Sequence, residues 1–160
     1  MLATRLLDGA DVADKRAALA QRVLAPDMLA GAGIRTKSTT AARFAPGAYH
    51  NGSVWPVDTG VIADGLRRHG YVSEAADLDD RVLRACARVG GPVEFFRGDA
   101  DGKVAINVSS VEVELAGARV LLEQPPQLVQ GWTVTRLWRI LRGRGIAPSP
   151  LAGEGRVRAA

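Results

Sequence analysis

The stretch Tyr49-His50-Asn51-Gly52-Ser53-Val54-Trp55-Pro56-Val57-Asp58 decides the reading of the fold. It leaves a glycine-marked loop and enters a helix at Pro56, where the missing proline N–H has no helical acceptor to lose. Val57, Val61, Ile62 and Leu66 then recur at helical spacing, and His69-Gly70 supplies a glycine stop. A helix is expected over 56–69. A second is expected over 73–89, with Ser73 as its cap, an apolar stripe of Leu78, Val82, Leu83, Cys86 and Val89, and Gly90-Gly91-Pro92 as its end. Two helices joined by so short a glycine-containing loop form an αα-hairpin.

Upstream, Val12, Leu19, Val23 and Leu24 mark a helix over 11–25, with Asp8 or Asp11 as its cap. Gly31 to Ser53 shows no period and reads as a long loop. Its aromatic residues and His50 argue against disorder, and long ordered loops are commonly functional. Downstream, the period changes. Val104, Ile106 and Val108, then Val111, Val113 and Leu115, alternate with polar residues, and Ala116-Gly117 offers a turn. A β-hairpin is expected within 103–122. Pro125-Pro126 closes it, and a last helix is expected over 127–142, with Val134, Leu137, Trp138 and Leu141 on one face. The chain therefore reads as mainly α with a small inserted β-hairpin. Residues 1–142 form the folded portion, and the Gly/Pro/Ala-rich tail 143–160 is expected to be disordered.

Composition narrows the function classes. At 160 residues, with 47% hydrophobic and 24% charged, the chain can build one ordinary core. No apolar run reaches membrane-spanning length, and the early Asp8 interrupts any signal-peptide pattern. A single cysteine, Cys86, makes no internal disulfide, and no Cys/His cluster points to a metal or other cofactor. A cytoplasmic protein is the simplest expectation. The net charge of +4 and pI near 9.8 permit nucleic-acid binding. That reading is set aside, because Arg136, Arg139, Arg142, Arg144, Arg156 and Arg158 are expected on the solvated side of one helix and in the tail.

Three groups of residues could carry chemistry. Around Trp55, a flat apolar ring accompanies Tyr49, His50, Asn51 and Asp58. Sugars require that mixture, because their C–H faces stack on rings while their hydroxyls need donors and acceptors. The alternative is a tryptophan plugging a helix end, with His50 and Asp58 satisfying backbone. The second group is Pro92-Val93-Glu94-Phe95-Phe96. A carboxylate beside apolar rings is poorly solvated, which raises its pKa and makes Glu94 a candidate general base. The alternative is an ion pair of Glu94 with Arg97 or Arg35. The third group is Glu123, Gln124, Gln127, Gln130 and Trp132 at a strand–helix junction, where helix capping and packing is the competing account. Asp99-Ala100-Asp101-Gly102 reads as a turn, since it lacks the later ligands of a calcium loop.

Taken in order, these groups resemble a known family. Gly33-Ile34-Arg35-Thr36, Pro46 to His50, and Gly52-Ser53-Val54-Trp55-Pro56 with Asp58 resemble the "GIRT…SYHNGSVWPHD" stretch of bacterial glycogen-debranching-type amylo-α-1,6-glucosidases. Pro92 to Phe96 looks like the family's "PELF" segment, and Gln127 with Gln130-Gly131-Trp132-Thr133 looks like its "PQ.xQAWT" segment. The resemblance runs from about Asp11 to Arg142. It implies part of an (α/α) six-hairpin toroid and inverting hydrolysis of an α-1,6-glucosidic bond. In such hydrolysis an acid protonates the leaving oxygen, while a carboxylate ~6.5–9.5 Å away activates water. By the resemblance, Glu94 takes the place of the general base. Arg35, Tyr49, His50, Asn51, Trp55, Asp58, Glu123, Gln127 and Trp132 fall at or beside substrate positions. The family carries Trp where this chain has Ala32 and His where it has Val57, and its general acid lies on an earlier hairpin. The implied partners are an α-glucan or oligosaccharide and an upstream polypeptide that completes the toroid.

Three readings compete. One is the C-terminal part of a debranching-type α-glucosidase, inactive by itself. Another is a non-catalytic carbohydrate-binding or structural remnant of such an enzyme. The last is an unrelated, complete α+β protein with a basic surface. A bare apolar face beyond the few hundred Å² usual for monomers separates the first two from the third.

Overall fold

The computed structural model describes residues 1–99, 103–105 and 109–146, with the strand residues 109–113 and 121–124 given by their backbone. Four α-helices dominate: α1 (Ala13–Val23), α2 (Pro56–Arg68), α3 (Val72–Val89) and α4 (Gly131–Gly143). A two-residue ladder, β1 (Leu29–Ala30) with β2 (Gly33–Ile34), follows α1, and an antiparallel hairpin, β3 (Ser109–Leu115) with β4 (Ala118–Gln124), precedes α4. The mainly α fold with its small inserted β-hairpin is thus present. The tail beyond residue 146 and the expected strand residues Ile106 and Val108 lie outside the described residues.

α2 and α3 make the most extensive helix pair. Pro56 opens α2, and the chain turns at Gly70, whose φ of +87° is the left-handed conformation that favours glycine. α3 ends in the same way at Gly90, with φ of +79°. Ser73 does not cap α3. The helix begins one residue earlier behind Tyr71, and the Ser73 hydroxyl bonds Glu74. Neither Asp8 nor Asp11 caps α1: Val12 holds that position without a side-chain bond, and Asp8 pairs with Arg68. α4 starts at Gly131 rather than near Gln127, with the Gln130 side chain accepting from the Trp132 N–H.

Two apolar clusters form the core. Leu2, Leu7, Ala20, Ile34, Ala63, Leu66, Ala75 and Leu78 fill one. Ala30, Ala32, Val54, Val82, Ala85, Cys86, Val93, Phe96 and Ile140 fill the other. Burial pushes the Cys86 thiol up to about 11, which keeps it protonated and unreactive. No described helix is long and apolar enough to cross a membrane.

Arg136 departs from the expected solvated arginine face. Only 6% exposed, it ion-pairs with Asp79 on α3 and with Asp64 on α2, the latter at 3.0 Å. Asp79 also accepts from Arg67 at 2.6 Å. The guanidinium reaches these acids by lying over Gly60, where any Cβ would collide with its Cδ and Nε. The Arg136 Nε has no partner there. Gly60 therefore stands inside a helix, at a cost in propensity, because the crossing has no room for a side chain.

Breaking a buried ion pair leaves an uncompensated charge and typically costs ~3–5 kcal/mol. Asp64 remains for Arg136, so Asp79→Ala is expected to cost about 2–3 kcal/mol in urea unfolding. Replacing both partners, as in Asp79→Leu with Arg136→Met, should recover much of that loss.

Candidate active site

The helix directions gather three loops at one end of the fold. α2 and α4 both begin there, and α3, antiparallel to α2, ends there. Their junctions are fastened by main-chain bonds. Gln130 N–H donates to Pro92 O at 2.9 Å, Glu94 N–H to Gln127 O at 2.9 Å, and the Thr133 hydroxyl to Val93 O at 2.9 Å. On the other side, Val54 and Phe96 exchange main-chain bonds at 2.9 and 2.8 Å, and Val54 also bridges to Arg35. The segment 92–98 is therefore pinned between the loop before α2 and the loop before α4.

Glu94 projects from this pinned segment and is 8% exposed. Its two oxygens have separate donors, the Tyr49 hydroxyl to Oε1 at 2.8 Å and the Gln127 N–H to Oε2 at 3.1 Å. The alternative ion pairs are not formed: Arg97 pairs with Asp99 at 3.0 Å, and Arg35 is engaged elsewhere. Tyr49 packs edge-on against Trp55, Phe95 and His50, with ring centres 4.6, 5.0 and 4.7 Å away, and Trp55 stacks on Phe95 at 5.2 Å. The Trp55 indole N–H donates to Ser53 Oγ at 2.9 Å. Half-buried Tyr49 has its phenol held above the usual range by burial, then by its bond to Glu94 and that group's charge.

Beside this cluster lies a cavity of about 280 Å³ lined by Thr36, Tyr49, His50, Trp55, Val57, Asp58 and Trp132. Five of the expected residues thus share one wall: Tyr49, His50, Trp55, Asp58 and Trp132. Trp132 is 62% exposed and presents an open ring. Val57, a departure from the family pattern, lines the cavity, whereas Ala32, the other departure, is buried in the core. Glu94 is joined to the cavity through Tyr49. Thr36 also lines the cavity; it belongs to the Gly33-Ile34-Arg35-Thr36 motif, which by itself gives it no site role.

Asp58 lies in the first turn of α2, where the positive helix end favours an ionised carboxylate. Partial burial still pushes its carboxyl above the ordinary carboxylate range, with the charge of His50 opposing the shift. Asp58 is nevertheless open to solvent on the cavity rim, so water moderates the effect.

The remaining expected residues stand apart. Arg35, 3% exposed, is a structural clamp. It donates to Gly98 O at 2.6 Å, Leu29 O at 2.7 Å, Asp99 O at 2.7 Å and Pro26 O at 3.3 Å. Gln127 contributes its backbone to Glu94, while its side chain accepts from Gln130 at 3.1 Å. Asn51 closes a turn through its backbone, to Ala48 at 3.2 Å and from Ala45 at 2.8 Å. Glu123 falls on β4 opposite Ser110, and its side chain lies outside the described residues. A larger cavity of about 570 Å³ lies among Asp64, Arg67, Asp79, Arg136 and their neighbours, whose charges are largely spent on one another. Among the described residues, no group of His, Cys, Asp and Glu is placed to hold a metal ion.

Because the folded Asp58 holds its proton to higher pH than the unfolded chain, its contribution to stability is full in acid and is lost as pH rises through the carboxylate range. Asp58→Asn should therefore raise the Tm at neutral pH, and the gain should vanish well below the ordinary carboxylate pKa. Thermal unfolding across pH checks both halves.

Among curated proteins nothing matches the chain. A family model does: the mannosylglycerate hydrolase MGH1-like glycoside hydrolase domain matches residues 3–103. The match takes in α1 to α3, the loop that supplies Tyr49, His50 and Trp55, and the segment bearing Glu94. It establishes glycoside hydrolase ancestry, a broader assignment than the debranching enzymes that the motifs resemble. The chain belongs to the MGH1-like glycoside hydrolase family.

Proposed function

We propose that this chain is the C-terminal part of an inverting six-hairpin glycosidase, with Glu94 as general base and the cavity beside Trp55 as the sugar subsite. The observation that carries the reading is the joining of Glu94, through Tyr49, to a cavity walled by Trp55, Trp132, His50 and Asp58. An ionised carboxylate accepts a proton from water, the base step of inversion, and the rings receive the sugar's C–H faces. The general acid, in this reading, comes from a preceding segment that supplies the remaining hairpins. Residues 1–142 are then one portion of a toroid. Exposed Val134 and Trp138 on α4, and the apolar groove of about 300 Å³ along Leu83, Ala87, Leu137 and Leu141, are what neighbouring helices would cover.

The finer substrate is an α-glucoside, with an α-1,6 branch as the specific bond. Two things favour it over the mannosylglycerate in the family's description. The motifs around Trp55 follow the debranching pattern, and the described lining of the cavity carries Asp58 but no Lys or Arg to receive a glycerate carboxylate. A non-catalytic sugar-binding role is the competing reading, and the two part at Glu94.

Purified 160-residue chain should bind methyl α-glucoside weakly, and Trp132→Ala, which removes the exposed ring on the cavity, should weaken that binding about tenfold, the loss expected for one aromatic contact. Mannosylglycerate should bind less well. On maltose, isomaltose and a glycogen limit dextrin, the chain alone should show no turnover, since inversion needs both acid and base. Clear turnover abolished by Glu123→Gln as well as Glu94→Gln would overturn the divided active site and make Glu123 the acid. With a preceding segment supplied, Glu94→Gln should abolish hydrolysis while sugar binding survives; survival of both would favour the non-catalytic role.

A further inference from the structure

We propose that Tyr49 is a positioning residue for Glu94, fixing the plane of its carboxylate so that the catalytic base is presented in one orientation. The inference rests on the assignment of Glu94 as base and goes beyond it. A glutamate side chain has three rotatable bonds, and anchoring one oxygen leaves the carboxylate free to swing. Here the two oxygens are anchored from opposite sides: Oε1 by the Tyr49 hydroxyl at 2.8 Å, and Oε2 by the Gln127 N–H at 3.1 Å. The Gln127 donor is itself fixed, because Gln127 O accepts from Glu94 N–H at 2.9 Å. The Tyr49 donor is fixed by its ring, wedged edge-on among Trp55, Phe95 and His50.

Two donors converging on two oxygens call for a carboxylate. A carboxamide offers one acceptor oxygen and would turn an NH2 toward the other donor. Tyr49 also lines the sugar cavity, so a single side chain touches both the subsite and the base. The charged groups around the pair are few. His50 flanks the phenol ring, Asp58 on α2 interacts with His50, and Arg97 on the Glu94 segment is tied to Asp99. From the α4 side the contact described is the Gln127 main chain.

Both tests use the 160-residue chain and require no turnover. Tyr49→Phe keeps the ring and removes the hydroxyl. Its expected effect is at a distance: the Gln127 amide, which donates to the other oxygen, should lose about tenfold in hydrogen-exchange protection, the equivalent of one weakened hydrogen bond. The Val54 amide, bonded to Phe96, should keep its protection. The second variant is Glu94→Gln. With the charged acceptor gone, the Tyr49 phenol should titrate at lower pH than in the wild type, followed by ultraviolet absorbance. The chain has two tyrosines, so a Tyr71→Phe background isolates the signal. An unchanged Gln127 amide in Tyr49→Phe, or an unmoved phenol titration in Glu94→Gln, would overturn the positioning role. Normal hydrolysis by Glu94→Gln in the enzyme completed by its preceding segment would be a different failure, that of the base assignment.

Discussion

A buried guanidinium must find acceptors, and Arg35 finds them in the carbonyls of Pro26, Leu29, Gly98 and Asp99. These oxygens come from two parts of the chain, the turn after α1 and the segment after Glu94. Burial lowers the Arg35 pKa, while the charges of Asp27 and Asp99 oppose the change. The cation ties together loops that also meet in the apolar cluster of Ala30, Ala32, Val54, Val93 and Phe96. Beside the Arg35 clamp, Val54 pairs with both Arg35 and Phe96, and the Val54–Phe96 pairing holds the segment from which Glu94 projects. The same closure brings Gly98 so near Gly52 that a Cβ on Gly98 would collide with the Gly52 carbonyl. A side chain there would have to be accommodated by parting the loops on which the candidate site is built.

Most of the helical frame was legible in the sequence because it rests on local signals. Pro56, Gly70 and Gly90 punctuate α2 and α3 through backbone preferences that need no tertiary knowledge. The start of α4 was misplaced for a physical reason. Pro125-Pro126-Gln127 resembles a helix beginning, but the main chain of Gln127 and Gln130 is committed to Glu94 and Pro92, so helical bonding waits until Gly131. The loop from Gly31 to Ser53 hid its strands because β2 is two residues long and the further pairing is by single residues, too short for any alternation to show.

The candidate site was partly legible for a related reason. Residues whose chemistry is displayed on a ring or a carboxylate, such as Trp55, Trp132 and Glu94, keep that chemistry wherever they are placed. Arginines do not announce their partners. Arg35 in a polar loop reads as a sugar ligand or as an ion-pair partner of Glu94, and the four carbonyls it binds are visible only in the fold. Arg136 on an amphipathic helix reads as solvated until Gly60 is seen to open a path to Asp79. In both cases at least one partner is distant in sequence, Gly98 and Asp99 for Arg35 and Asp79 for Arg136, and no short window of residues contains it.

The two apolar clusters have one helix in common. Leu78 of α3 belongs to the first, and Val82, Ala85 and Cys86 one turn onward belong to the second. Partial melting that releases only one half would have to break α3 in its middle, where it is most enclosed. The α1 half and the half bearing Glu94 are thereby coupled into one cooperative unit. Packing against Leu2 or Leu7 thus bears on the same helix, α3, that packs beneath the segment carrying Glu94.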